Sequence, residues 1–231
     1  MRKHIFQPPR GMLKIALVGC GGTGSQMLTA LARMDLALRN LGSDGLIVDC
    51  YDPDTVSPAN AGRQSFYSCD IGKNKAAVLR DRHVFCFMGF RCNAIPQRYN
   101  GEECHVLISC VDSRKSRRGI VKKRRCEYYV DCGNGNNHGQ VILGNGKDLP
   151  WPEKFIPGLI STEPEDDTPS CSLAEALEKQ DLFVNDFAVR IAAGILWDLF
   201  RYGGTDIRGA FYTLNPISVN PVKIIPGEDN V

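Results

Sequence analysis

The sequence predicts an α/β fold with a doubly wound, mostly parallel sheet, helices on both faces and antiparallel edge strands near the C-terminal end. Two observations predict it. Short apolar runs alternate with segments whose apolar residues recur at helical spacing. The first of those runs also stops at a glycine-rich turn that opens a helix. A chain of 231 residues has room for one such domain.

The elements follow in order. Leu13 to Val18 is a short, mostly apolar run ending in glycines, as expected of a buried parallel strand. Gly22 to Leu38 carries Met27, Leu28, Leu31, Met34 and Leu38 at helical spacing. Leu46 to Tyr51 reads as a second buried strand. Cys69 to Arg82 reads as a helix whose inner side is Ile71, Ala76, Val78 and Leu79. Cys92 to Pro96 is a short third strand and Val106 to Val111 a further buried one. A basic helix over Ser113 to Cys126 precedes a strand at Tyr128 to Cys132. A Gly/Asn turn cluster, Gly133 to Gly139, leads into a strand at Gly139 to Leu143.

Periodicity then fades. Gly144 to Ser170 is rich in Gly, Pro, Asp and Glu and reads as a long surface loop with a mobile acidic tip at Glu163 to Asp167. Helical spacing returns over Leu173 to Phe200, in two helices broken near Asp181 to Asn185. Ala210 to Leu214 and Val219 to Ile225 are β-branched and interrupted by Pro, which predicts edge strands.

Composition sets limits on function. The chain is 43% hydrophobic and 23% charged, ordinary for a soluble protein, and its formal net charge is +2. So even a balance creates no broad positive field, which argues against a general nucleic-acid binder. No apolar run reaches the roughly 18 residues of a membrane span, and the first 13 residues lack the apolar core of a signal peptide. A cytoplasmic location is expected. The ten cysteines contain no Cys-x-x-Cys pair, so no structural zinc site is expected and most read as small core hydrophobes.

Four motifs carry chemistry. Gly19-Cys20-Gly21-Gly22-Thr23-Gly24 follows a strand and opens a helix; its glycines permit close backbone approach, and the free amides of the helix start attract phosphate. Asp52 ends the second strand, where a carboxylate accepts from ribose hydroxyls; Asp54 competes for that role or serves the turn before Pro58. Asn60, Arg63 and Gln64 are followed by Asp70-Ile71-Gly72-Lys73-Asn74-Lys75, and an Arg fork with a Lys point charge suits a polyphosphate. Asp112 leaves the Val106–Val111 run, where ligand crevices of open sheets form. A lone carboxylate there suits a Mg²⁺ that keeps most of its waters, or an N-cap, a role Ser113 can also fill. Arg117 and Arg118 follow on the basic helix and read as solvated.

In this order and spacing, the motifs over Lys14 to Val141 resemble the ThiF/MoeB/HesA superfamily, bacterial relatives of the ubiquitin-activating enzymes. Within it, the short N-terminus and missing zinc cysteines resemble the ThiF-related protein of the PRTRC cassette. The resemblance implies a Rossmann-like fold and ATP-dependent adenylation of the C-terminal carboxylate of a small ubiquitin-like or sulfur-carrier protein, with Mg²⁺ and a homodimeric enzyme. By the same resemblance Gly19, Gly21, Gly22 and Gly24 lie along the nucleotide and Asp52 holds the ribose. Asn60, Arg63, Gln64 and Lys75 meet the phosphates, and Asp112 anchors the metal. Arg63, Lys75, Asp112 and Cys171 are then the catalytic candidates. Arg10 is the nearest stand-in for an arginine that relatives supply to the neighbouring subunit. Cys171, at the end of the acidic loop, matches the place where some relatives form a thioester or persulfide, and is otherwise an unreactive loop residue.

The whole chain, residues 1–231, reads as one domain: a nucleotide-binding core over 13–143, a crossover loop over 144–172, and C-terminal helices and strands over 173–231. Two other functions account for part of the pattern. An NAD-dependent oxidoreductase uses the glycine turn and Asp52 but leaves Arg63, Lys75 and Asp112 without work. A nucleotide-binding adaptor without catalysis has no need of the full phosphate set.

Overall fold

Strand residues with alternate side chains apolar on two opposite faces demand cover on both, and this requirement shapes the molecule. The structure, a computed structural model, describes residues 4–164 and 172–225. In chain order the elements are β1 (His4–Ile5), β2 (Leu13–Val18), α1 (Gly22–Asn40), β3 (Leu46–Tyr51), α2 (Lys75–Cys86), β4 (Arg91–Ile95), β5 (Cys104–Ser109) and α3 (Arg114–Lys123). There follow β6 (Cys126–Asn134), β7 (His138–Gly144), α4 (Pro152–Phe155), α5 (Leu173–Lys179), α6 (Val184–Tyr202), β8 (Gly204–Thr205), β9 (Ile207–Leu214) and β10 (Ile217–Lys223).

Eight strands form one sheet in the order β10-β9-β7-β6-β5-β2-β3-β4. From β4 to β6 the neighbours are parallel, and from β6 to β10 they are antiparallel. The alternation along each strand decides what covers it. Leu13, Ile15 and Leu17 of β2 and Val106 and Ile108 of β5 join the core under α1, α2 and α6. Their neighbours Ala16, Val18 and Leu107 join a second core with Ile120 of α3 and Trp151. The chain leaves β2 toward β3 on one side, while β5 pairs on the other. The carboxyl ends of β2 and β5 therefore flank a topological switch point, where an open sheet forms a crevice.

Several boundaries differ from the expectations. The helix expected over 69–82 begins at Lys75, after a 3₁₀ turn over Ser68–Asp70. Asn74 sets the start, its side chain accepting from the Ala77 amide, a stronger boundary signal than the apolar spacing on either side. The segment after Gly144 is no featureless loop. Pro152 opens α4, a 3₁₀ turn spans Pro157–Ile160, and Leu149 and Leu159 are buried. Of the two expected edge strands, β9 lies between β7 and β10, and β10 is the edge. The acidic tip is described only as far as residue 164, so the expectation for 165–167 lies outside the described residues, as does Cys171.

Arg117 corrects the solvated reading of α3. It is 7% exposed and its Nε donates to both oxygens of Asp131 at 3.2 Å. Arg118 donates to the Ser161 carbonyl. The cysteines divide: Cys20, Cys50, Cys92, Cys104 and Cys132 are buried, Cys110 and Cys126 half-buried, and Cys69 and Cys86 exposed. Burial pushes the Cys104 and Cys126 thiols up to about 12, which keeps both protonated and inert. Among the described residues no helix is long and apolar enough to cross a membrane.

Candidate functional site

The crevice at the switch point is a cavity of about 350 Å³. Its floor is the turn between β2 and α1. Gly19 takes φ of +88°, and a Cβ there would lie 2.8 Å from the Cys110 carbonyl oxygen, so only glycine fits. Gly19, Gly21, Gly22 and Thr23 line the cavity at the N-terminus of α1, where free backbone amides favour anions. Gly24 does not line it. A Cβ on Gly24 would meet the Gly19 carbonyl oxygen at 1.8 Å, so this glycine serves the close packing of helix on turn rather than the ligand.

Asp52 closes the end of β3 and is 5% exposed. One carboxylate oxygen accepts from the Cys20 amide at 2.6 Å and the other from the Asp54 amide at 2.8 Å. Burial pushes its pKa up, and the two amides and Lys75 pull against that rise. Asp52 thus ties the glycine turn to the strand end while lining the cavity, and each oxygen keeps a lone pair for a further donor. Asp54 also lines the cavity, is exposed, and stands 3.8 Å from Lys75 Nζ.

Arg63, Gln64 and Lys75 converge from the 55–75 segment. Lys75, the first residue of α2, is largely buried, and its amide donates to the Asp54 carbonyl. Arg63 is partly withdrawn from water. Burial lowers its pKa, and the Asp112 carboxylate opposes that drop. Gln64 Oε1 is buried and has no hydrogen-bond partner among the described residues. Asn60 is turned away: its Oδ1 accepts from the Ser57 amide at 3.0 Å, and it does not line the cavity. An Asn two residues after Pro58 caps its own turn before it can serve a ligand.

Asp112 stands exposed at the opposite wall, with Lys115, Ser116, Gly119 and Lys123 of the α3 region along the same side. Ser113, not Asp112, caps α3, accepting from the Ser116 amide. Among the described residues no cluster of three or more His, Cys, Asp or Glu side chains is arranged to hold a metal. A lone carboxylate suits only a cation that keeps most of its waters. Arg10 is exposed after β1 and does not line the cavity.

The sequence reading missed part of the wall. Tyr51 and Tyr99 meet edge to face at 5.3 Å, and Arg98 stands beside them. Asn134 of β6, Gln180 at the C-terminal end of α5 and Asn185 in the first turn of α6 also line the cavity. No spacing in the sequence brings residues 134, 180 and 185 to a turn at residues 19–24; only the sheet order does.

Residues 11–225 match the ThiF family. The chain belongs to the ThiF family. No curated protein sequence matches it. Among solved structures, E. coli MccB with succinimide superposes with a TM-score of 0.62 at 17% identity, over 92% of this chain and 64% of MccB. MccB solved with AMPCPP and MccA gives 0.60 at 16%, over 95% and 66%. PaaA gives 0.62 at 14%, over 92% and 64%. This ThiF-family chain therefore spans about two thirds of the length of those structures and shares their fold.

Proposed function

We propose that the protein is an ATP-dependent adenylating enzyme acting on the C-terminal carboxylate of a peptide or small carrier protein. One observation carries the reading: a helix N-terminus, Arg63, Lys75 and Asp112 all line one cavity at the switch point of a ThiF-family fold. A dinucleotide oxidoreductase uses the first of these and has no task for the other three. The MccB structures with ATP and with MccA support the same class of reaction.

In the proposed reaction a carboxylate oxygen attacks the α-phosphorus of ATP. The new bond is P–O to the acyl oxygen; the bond broken joins the α-phosphorus to the bridging oxygen, and pyrophosphate leaves with that electron pair. The attacking carboxylate is already ionised near neutral pH, so no general base is required. Catalysis then reduces to positioning and charge. The α1 amides and Lys75 hold phosphate oxygens. Arg63 meets negative charge that grows on the phosphoryl group. Asp52 orients the ribose. Asp112 would hold Mg²⁺, which when bound neutralises phosphate charge.

The finer reading names a ubiquitin-like or sulfur-carrier protein as the substrate, in a homodimeric enzyme of the PRTRC-cassette branch. Thioester formation at Cys171 is its optional second step. ATP–pyrophosphate exchange tests the core claim, using small ubiquitin-fold proteins from the same genome and peptides with free or amidated C-termini. Exchange that needs a free C-terminus supports it; exchange with none of them, or equal exchange with amidated peptides, overturns it.

A further inference from the structure

Arg63 poses a problem of placement. A guanidinium that must meet developing phosphate charge has to be held still, and the usual holder, a carboxylate, would cancel the charge it holds. Here the holder is an amide. Arg63 Nη1 donates to Gln180 Oε1 at 2.7 Å, and among the described residues this is its one hydrogen bond and its buried Nε has no partner.

The Gln180 carboxamide is itself fixed. Its Oε1 also accepts from Asn185 Nδ2 at 3.1 Å, and its Nε2 donates to Asn134 Oδ1 at 2.8 Å. Asn134 Nδ2 donates onward to Asn185 Oδ1 at 2.8 Å and to Thr23 Oγ1 at 3.1 Å. Thr23 Oγ1 donates to Asn185 Oδ1 at 2.9 Å, and Thr23 and Asn185 are almost fully buried. The loop closes on the glycine turn, because a Cβ on Gly22 would lie 2.6 Å from Asn185 Nδ2. The backbone is anchored as well: the Gln180 amide donates to the Ala176 carbonyl and the Asp181 amide to that of Asn136. Donors and acceptors alternate around the ring, so each amide has one orientation that satisfies all its neighbours.

We propose that Gln180 is a positioning residue, fixing Arg63 against the nucleotide turn without neutralising it. The geometry stands by itself; what the held charge is for rests on the adenylation reading. Side-chain ¹⁵N–¹H NMR on the full chain tests the geometry, with the Arg63 signals assigned through Arg63→Lys. The wild type is expected to show restricted rotation of the Arg63 guanidinium. Gln180→Met, which keeps the volume and loses the acceptor, releases it. Gln180→Glu, which keeps an acceptor, restores the restriction. If Gln180→Met leaves the Arg63 signals unchanged, the positioning role is overturned.

The activity arm uses ATP–pyrophosphate exchange. Gln180→Met is expected to lower kcat about tenfold with little change in KM for ATP. It should add nothing in an Arg63→Ala background, because both changes remove one interaction. Losses that add in the double variant overturn the role. Gln180→Glu should hold Arg63 still yet exchange slowly, since its carboxylate cancels the charge. A wild type that shows no exchange with any carrier sinks the adenylation reading, and the NMR comparison still decides the role of Gln180.

Discussion

Arg63 and Arg117 are both withdrawn from water, and the protein treats their charges in opposite ways. Arg117 on α3 is paired with Asp131, whose second oxygen also accepts from Tyr129 Oη at 2.8 Å. Its Nη2 donates to the Val111 carbonyl, one residue before Asp112. Here charge is compensated inside the core and serves to hold a strand end. Arg63 is met by a neutral amide and an exposed carboxylate across the cavity. Its charge is left for a ligand. Compensated charge marks architecture, and uncompensated charge in a cleft marks chemistry.

Substitutions should separate the two roles. The largest effect is expected at Asp112. Asp112→Ala should abolish adenylation, a loss of about 10³-fold or more, with thermal unfolding unchanged, because removing a metal anchor forfeits several kcal/mol of charge stabilisation. Pyrophosphate exchange at near wild-type rate would contradict the assignment.

Asp131→Ala should act on the other side of the comparison. Stripping Arg117 of its carboxylate should cost about 3–5 kcal/mol in denaturant unfolding, the usual penalty for orphaning a buried charge. A stability loss below about 1 kcal/mol would show that the pair is not compensating in the way described.

Arg63→Ala should do the reverse. Its unfolding should stay close to wild type while the barrier rises by about 3 kcal/mol, typical of removing one transition-state donor. The loss should fall on kcat; kinetics in which only KM for ATP rises would assign Arg63 to uniform binding instead.

The smallest effect is expected from Cys171→Ala. Pyrophosphate exchange should be unaffected, while any reducible conjugate with the carrier should vanish from a non-reducing gel. A conjugate that persists would place the acceptor thiol elsewhere; Cys69 and Cys86 are the exposed alternatives among the described residues.

Much of this molecule is legible from the chain. Glycine turns, capping residues and strand-length apolar runs are local features, so β2, β3, β5 and the start of α1 lie close to where the sequence puts them. Two departures from the expectations also have local causes. Asn74 caps α2 and delays its start, and Asn60 caps its own turn and so leaves the cavity.

What could not be read belongs to the sheet order. The motif residues at 19–24, 52, 63, 75 and 112 are recognisable because each carries its own chemistry in its own short segment. Arg117 looks like any other cation of a basic helix until β6 brings Asp131 beneath it. Gln180 looks like a surface glutamine at the end of a short helix. It becomes part of the site only because α6 packs on α1 and carries Asn185 to Thr23, while β6 delivers Asn134 beside them. Backbone conformation and the type of chemistry are set by neighbours along the chain, and the sequence by itself determines them. Which charge is cancelled and which is left free depends on contacts between separate segments, Arg117 of α3 on Asp131 of β6 and Arg63 on Gln180 far along the chain, and only the tertiary structure decides that.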